Sequence, residues 1–303
     1  MNIQLRALSC SMSALVITLL TGPAFADCSA LPSFSLLRAA LIGAITPASG
    51  ANGGLGFNMW GTLVDNDGTV CAVAFSGSQF DSQWLGSRVI SAQKANTAND
   101  FSLGHNETPG GSLFPSGLAL STANLFSAVQ PGGSLYGLQH SNPVDTAVAY
   151  GNQPGFGNSG ISQASFNPNP FSSLSFGTAS DPMVGKRIGG VNVFGGGLAL
   201  YKNGSKVGGV GVSGDTSCTD HMVAWRVRHA LGFDEFRGVG GVADAAHPDN
   251  IVFDIAPNAD GTGGTGQAPN GQGGVGQSAS GFGHPKCLNN PTPAAVAGLP
   301  PVK

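Results

Sequence analysis

The sequence predicts an α/β fold, α+β in the stricter sense: one antiparallel sheet of about five strands, with helices packed mainly on one face and long loops between them. Two hairpin signals and three helical runs carry that prediction. Asp67-Gly68 lies within the apolar run 57–75, and Asn203-Gly204 separates the apolar runs 198–201 and 206–212. Both dipeptides supply the positive φ angles of tight hairpin turns.

The first helix is expected over 31–45, where Phe34, Leu37, Leu41, Ala44 and Ile45 recur at helical spacing before Pro47 ends the run. The second spans 83–102. The third spans 219–231, with Thr216 or Ser217 as N-cap and Asp220 in its first turn. Arg226, Arg228 and His229 stand toward its end, as the helix dipole prefers. Residues 250–255 (NIVFDI) read as an added edge strand. The stretch 103–181 is rich in Gly, Pro, Asn and Ser, and is too long to be featureless in a compact domain. Within it, 121–128 reads as helical, 132–143 as a lid over the sheet, and 152–180 as a surface loop. The Gly-rich run 257–283 buries too little apolar surface to offset its chain entropy, so it is expected to be flexible, with the last residues loose.

Residues 1–26 read as a secretory signal peptide: Arg6, an apolar core from 14 to 20, and Ala24-Phe25-Ala26 before the cleavage site. Asp27 stands where a lipobox needs Gly or Ala, which argues against lipidation of Cys28. The mature chain is expected to be exported, periplasmic or extracellular, with one domain over 27–255 and a tail over 256–303 tethered by Cys287. Four cysteines remain after the signal: Cys28, Cys71, Cys218 and Cys287. No two of them have C-x-x-C spacing, so two disulfides are expected rather than a metal site. Three connectivities are open. Cys28–Cys71 with Cys218–Cys287 is favoured because each bond ties a terminal segment to the core. The formal charge of −3, or −4 without Arg6, argues against nucleic acid and against an anionic membrane surface. No apolar run after the signal is long enough for stable membrane insertion.

Gly208, Gly209 and Gly211 interrupt the last strand, where glycine signals close approach of a backbone or a ligand. The pattern Gly196-Gly197, Gly204, Val207-Gly208, Gly211-Val212-Ser213-Gly214, Thr216 and Asp220 resembles the closing motif of the GlcG/HbpS-like family of haem-binding or haem-degrading domains. The hairpin at Asp65-Asn66-Asp67-Gly68 and the helix carrying Ala92, Lys94, Ala95, Thr97, Ala98 and Phe101 match two further family blocks in the same order. Asp215, where the family has glycine, and Cys218 depart from the pattern. The resemblance covers about 31–231, with 103–181 as an unmatched insertion. It implies a profilin-like layout, haem as cofactor and a small planar ligand as partner. Self-association is expected from the resemblance and from the apolar first helix.

Candidate ligand contacts are the motif positions Lys94, Thr97, Ser213 and Thr216, the three glycines, and Arg187, whose guanidinium suits a carboxylate. Histidine leads among haem-iron ligands. His221 follows the motif loop, His140 sits beside Tyr136 in the expected lid, and His105 follows the second helix. His229 reads as a surface residue satisfying the helix dipole, and His247 and His284 as loop residues. There is no G-x-S-x-G elbow, and Gly209 to Gly214 fits a nucleotide fingerprint only in letters, since it lies mostly within a strand. Asp65 and Asp67 read as turn formers. Three functions remain open: an exported haem-binding or haem-handling protein, an enzyme acting on a small organic acid or tetrapyrrole, and a structural domain without ligand.

Overall fold

The computed structural model describes residues 28–45, 52–105, 107–108, 112–150, 173–255 and 278–303. The expected signal segment, the Gly-rich run up to 277 and most of the loop 152–180 lie outside them. At the centre, β1 (Trp60–Asp65) and β2 (Val70–Phe75) form one hairpin. A two-residue β3 (Leu118–Ala119) comes from the insertion. The second hairpin joins β4 (Gly197–Lys202) to β5 (Ser205–Ser213), and β5 pairs with β1 to give the order β2-β1-β5-β4. Both turns use the positive φ that their sequences offer: 80° at Gly68, 49° at Asn203 and 79° at Gly204.

The fold is α+β, as the sequence predicts, and its antiparallel sheet has four strands where about five are expected. Residues 250–255 do not extend it. The Ile251 N–H turns instead to the His221 ring, and Val252 accepts the His284 N–H. A separate parallel pair links β3 to β6 (Gly240–Gly241).

Strand alternation buries both faces of the sheet. Leu63, Ala72, Ala74, Leu198, Leu200, Val210 and Val212 point one way, and Trp60, Val64, Val73 and Phe75 the other. On the first face lie α1 (Phe34–Ile45), through Leu37, Leu41 and Ala44, and α5 (Ser217–Leu231), through Met222, Val223 and Val227. On the second lies α2 (Gly86–Asp100). Two of these helices share the first face, as expected, and α2 covers the second, which makes a three-layer domain. The α5 ends are set by local chemistry: the Thr216 hydroxyl accepts the Thr219 N–H, and Gly232 at φ 70° closes the C-terminus.

In the insertion, α3 (Leu125–Ala128) is shorter than expected, and α4 (Thr146–Tyr150) follows. The segment 132–143 is not a lid over the sheet, because α2 already occupies that face. Leu135 and Leu138 pack instead beside Leu120, Leu125 and Val129. The C-terminal residues are also not loose. Beyond α6 (Pro293–Ala297), Pro300 accepts the Trp225 indole N–H at 2.9 Å, and the Lys303 N–H bonds to Asp234 O at 2.8 Å. Both favoured disulfides form, Cys28–Cys71 and Cys218–Cys287, with Cα–Cα distances of 5.3 and 6.0 Å. Among the described residues, no helix is long and apolar enough to cross a membrane.

Candidate functional site

The glycine-lined surface of β5 holds a helix, not a ligand. A Cβ on Gly211 would lie 1.9 Å from the Ser91 carbonyl oxygen, and one on Gly209 2.2 Å from that of Ala95. A Cβ on Gly208 would meet the Val64 carbonyl at 2.2 Å. The backbone of α2 therefore sits directly on β5, and the Thr62 and Ser91 hydroxyls close the seam at 2.7 Å.

Motif residues stitch this seam together. Lys94, fully buried, donates to Asp220 Oδ2 at 2.7 Å and to Val212 O at 3.1 Å. Asp220 Oδ1 accepts the Asp215 N–H at 2.9 Å. Burial lowers the Lys94 pKa and raises that of Asp220 to about 6, each against the pull of the partner's charge. The carboxylate that meets Lys94, a candidate ligand contact, thus comes from the protein itself. Thr97 donates to Gln93 O and accepts the Asn192 N–H, while Thr216 caps α5 and Ser213 is buried at the end of β5. Asp215 replaces the family glycine usefully: its carboxylate accepts the N–H groups of Leu55 and Phe57.

The histidine candidates separate by access. His221 is fully buried, and its Nε2 accepts the Ile251 N–H at 3.1 Å. Burial pushes its pKa down to about 3. It is not beside an open surface. The His105 ring is packed beneath the Gly204 turn. His140 is exposed, with Tyr136 edge-on at 6.1 Å. Arg187 pairs with Asp67 beside the first hairpin turn, at the end of β1 away from Ser213. These residues do not converge on one site. Among the described residues, the two places where three metal-binding groups meet, Cys218–His284–Cys287 and Cys28–Asp65–Cys71, each contain a disulfide, which occupies both sulfurs.

An open groove lies on the other side of the molecule, between α1 and α5. It has a volume of about 410 Å³ and is lined by Ala39, Ala40, Gly43, Arg226, His229 and Ala230, among others. Helical spacing explains it. While Leu37, Leu41 and Ala44 turn to the sheet, Ala40 and Gly43 form the neighbouring stripe of α1, and nothing lies within 4 Å of a Cβ placed on Gly43. On α5, Arg226 and His229 share a face at i, i+3. Arg226 Nε donates to Asn52 at 3.0 Å, and its two terminal nitrogens have no partner among the described residues. His229 Nδ1 is 2.6 Å from Asp234 Oδ2, and Lys303 Nζ is 3.1 Å from the other Asp234 oxygen. Sequence reading missed this group. Gly232 reverses the chain after α5 and returns Asp234 to His229, a closure that five residues of spacing alone do not reveal.

The family model described as "Haem degrading protein HbpS-like" matches residues 41–228. The chain belongs to the HbpS-like family. That HbpS-like match contains both hairpins, α2 and the Lys94–Asp220 pair, and ends one residue before His229. Among solved structures, the crystal structure of Klebsiella pneumoniae protein ORFY, of the DUF336 family, is 21% identical with a TM-score of 0.37, over 66% of this chain and 90% of that one. The PduOC:heme complex is 20% identical with a TM-score of 0.36, over 66% and 94%. No curated protein matches the chain.

Proposed function

We propose that this HbpS-like chain is an exported haem-binding protein that holds haem on its surface for handling elsewhere. The family match over 41–228 carries the reading. The filled β5–α2 seam is the reason to favour a surface site, since a planar ligand has no interior space on the motif side. Two imidazoles are accessible as alternative ligands to iron, His140 in the insertion or His229 on α5, and the terminal guanidinium nitrogens of Arg226, without a partner among the described residues, suit a propionate. Bound haem would supply the redox-active iron, and the chain would supply ligation, orientation and charge pairing.

Export is part of the proposal because disulfides persist in oxidising compartments, and two tie this fold. Self-association belongs to it as well, through Leu36 and Ile42, which α1 leaves 58% and 40% exposed. Light scattering that finds only monomer at high concentration would count against it.

The deciding experiment is a haemin titration of the purified protein followed by absorption. A Soret band that shifts and saturates at one equivalent is the expected result. A spectrum indistinguishable from free haemin overturns the reading and leaves the ligand-free interaction domain in its place.

A further inference from the structure

We infer that the α1–α5 groove is the haem site, that His229 Nε2 is its axial ligand to iron, and that Asp234 is the residue that positions that imidazole. This rests on the haem reading above but not on the family motif, which ends before His229.

The geometry is that of a prepared metal-ligating histidine. Such a histidine almost always donates its second ring N–H to a carboxylate or carbonyl, which fixes the tautomer and raises the basicity of the ligating nitrogen. The Nδ1 of His229 lies 2.6 Å from Asp234 Oδ2, the contact through which a carboxylate orients such a ring, and Nε2 is the nitrogen not engaged by Asp234. Asp234 is itself held. Its side chain is 3% exposed, its second oxygen faces Lys303 Nζ, and its backbone bridges to Tyr201 and accepts the Lys303 N–H. No other histidine among the described residues combines access with such a carboxylate. His247 meets Asp244 but is buried, with Nε2 bonded to Leu299 O, while His221 and His284 are enclosed.

The rest of the groove suits the remainder of the ligand. Ala39, Ala40 and Gly43 present a low apolar floor, on which a tetrapyrrole would gain affinity from buried area. Gly43 matters most, because the missing side chain is what keeps that floor open. The Arg226 nitrogens stand one helical turn from His229, placed for a propionate.

The test uses the full mature chain, haemin as probe, and four variants whose folding is checked by thermal melting. Gly43→Leu should keep the parent's melting behaviour, since a side chain there meets open space, yet it should abolish the saturable Soret shift by filling the floor. His229→Ala should weaken haemin binding at least tenfold and lose the axial-ligand band, and added imidazole should restore that band. Asp234→Asn should weaken binding about 10–100-fold, the usual cost of losing an outer partner of a metal ligand. His140→Ala should bind as the parent does.

Should the parent bind no haemin, the haem reading falls and this inference with it. Should the parent bind while Gly43→Leu and His229→Ala bind equally well, the groove assignment falls and the haem reading stands. A spectrum altered only by His140→Ala would place the ligand in the insertion and overturn the groove in the same way.

Discussion

The two faces of the sheet are covered by different kinds of contact. On the α2 face, glycines at 197, 209 and 211 let a helix backbone settle onto a strand backbone, and the polar groups left between them are paired within the protein. On the α1–α5 face, leucines and valines make an ordinary core, and two helices that meet through small side chains leave an open seam between them. The lesson is that the denser concentration of motif residues builds the scaffold. The open groove lies where the packing is looser.

The comparison predicts opposite outcomes for adding atoms on the two sides. Gly211→Val drives a branched side chain into the Ser91 carbonyl and should be the most damaging change, about 3 kcal/mol or more, with little folded protein recovered. On the open side, Gly43→Leu should change the melting temperature little. Equal tolerance at both positions, measured by melting, would erase the distinction between the faces.

Removing charge should sharpen it. Lys94→Met strands Asp220 in the interior and should cost about 3–5 kcal/mol, whereas replacing both residues with apolar ones should recover much of the loss. Denaturant unfolding of the single and double variants measures this, and additive losses would show that the two residues are not coupled.

A smaller effect is expected from pH. Burial holds His221 at about 3 and His284 at about 4, so the unfolded chain takes up protons that the fold refuses. Their contribution is complete above 6.5 and is lost as pH falls toward those values, at most ~1.4 kcal/mol per pH unit for each. Asp220 and Asp65, both raised to about 6 by burial, act in the opposite sense: their contribution is present below 3.8 and lost as pH rises to 6. Acidification from 6.5 to 6 should therefore lower the melting temperature, and the fall should flatten below 6 where the carboxyls offset it. A melting temperature that rises on going from 6.5 to 6 would contradict the buried state of the two imidazoles.

How much could be read from the chain follows the range of each interaction. The Asn203-Gly204 turn, the Thr216 cap and the helix ending at Gly232 depend on near neighbours and were legible. The glycines of β5 correctly announced a close approach, but only the tertiary structure says that the visitor is α2. Lys94 stood as a candidate ligand contact, and nothing local distinguishes a ligand from the carboxylate of Asp220, 126 residues away. Residues 250–255 have the composition of a strand, yet Ile251 gives its N–H to His221 on α5 and Val252 accepts the His284 N–H, while the sheet edge beside β4 is bridged instead by Asp234. His229 looked like a dipole-satisfying residue until the chain reversal brought Asp234 to it.

The bond between Cys218 and Cys287 spans 69 residues, from the first turn of α5 to the tail. Topologically it turns that whole length into a ring, which includes His229, Asp234 and the Gly-rich run. A protease that cuts this run once opens the ring but separates nothing, so the nicked molecule should still migrate as one chain until a reductant divides it.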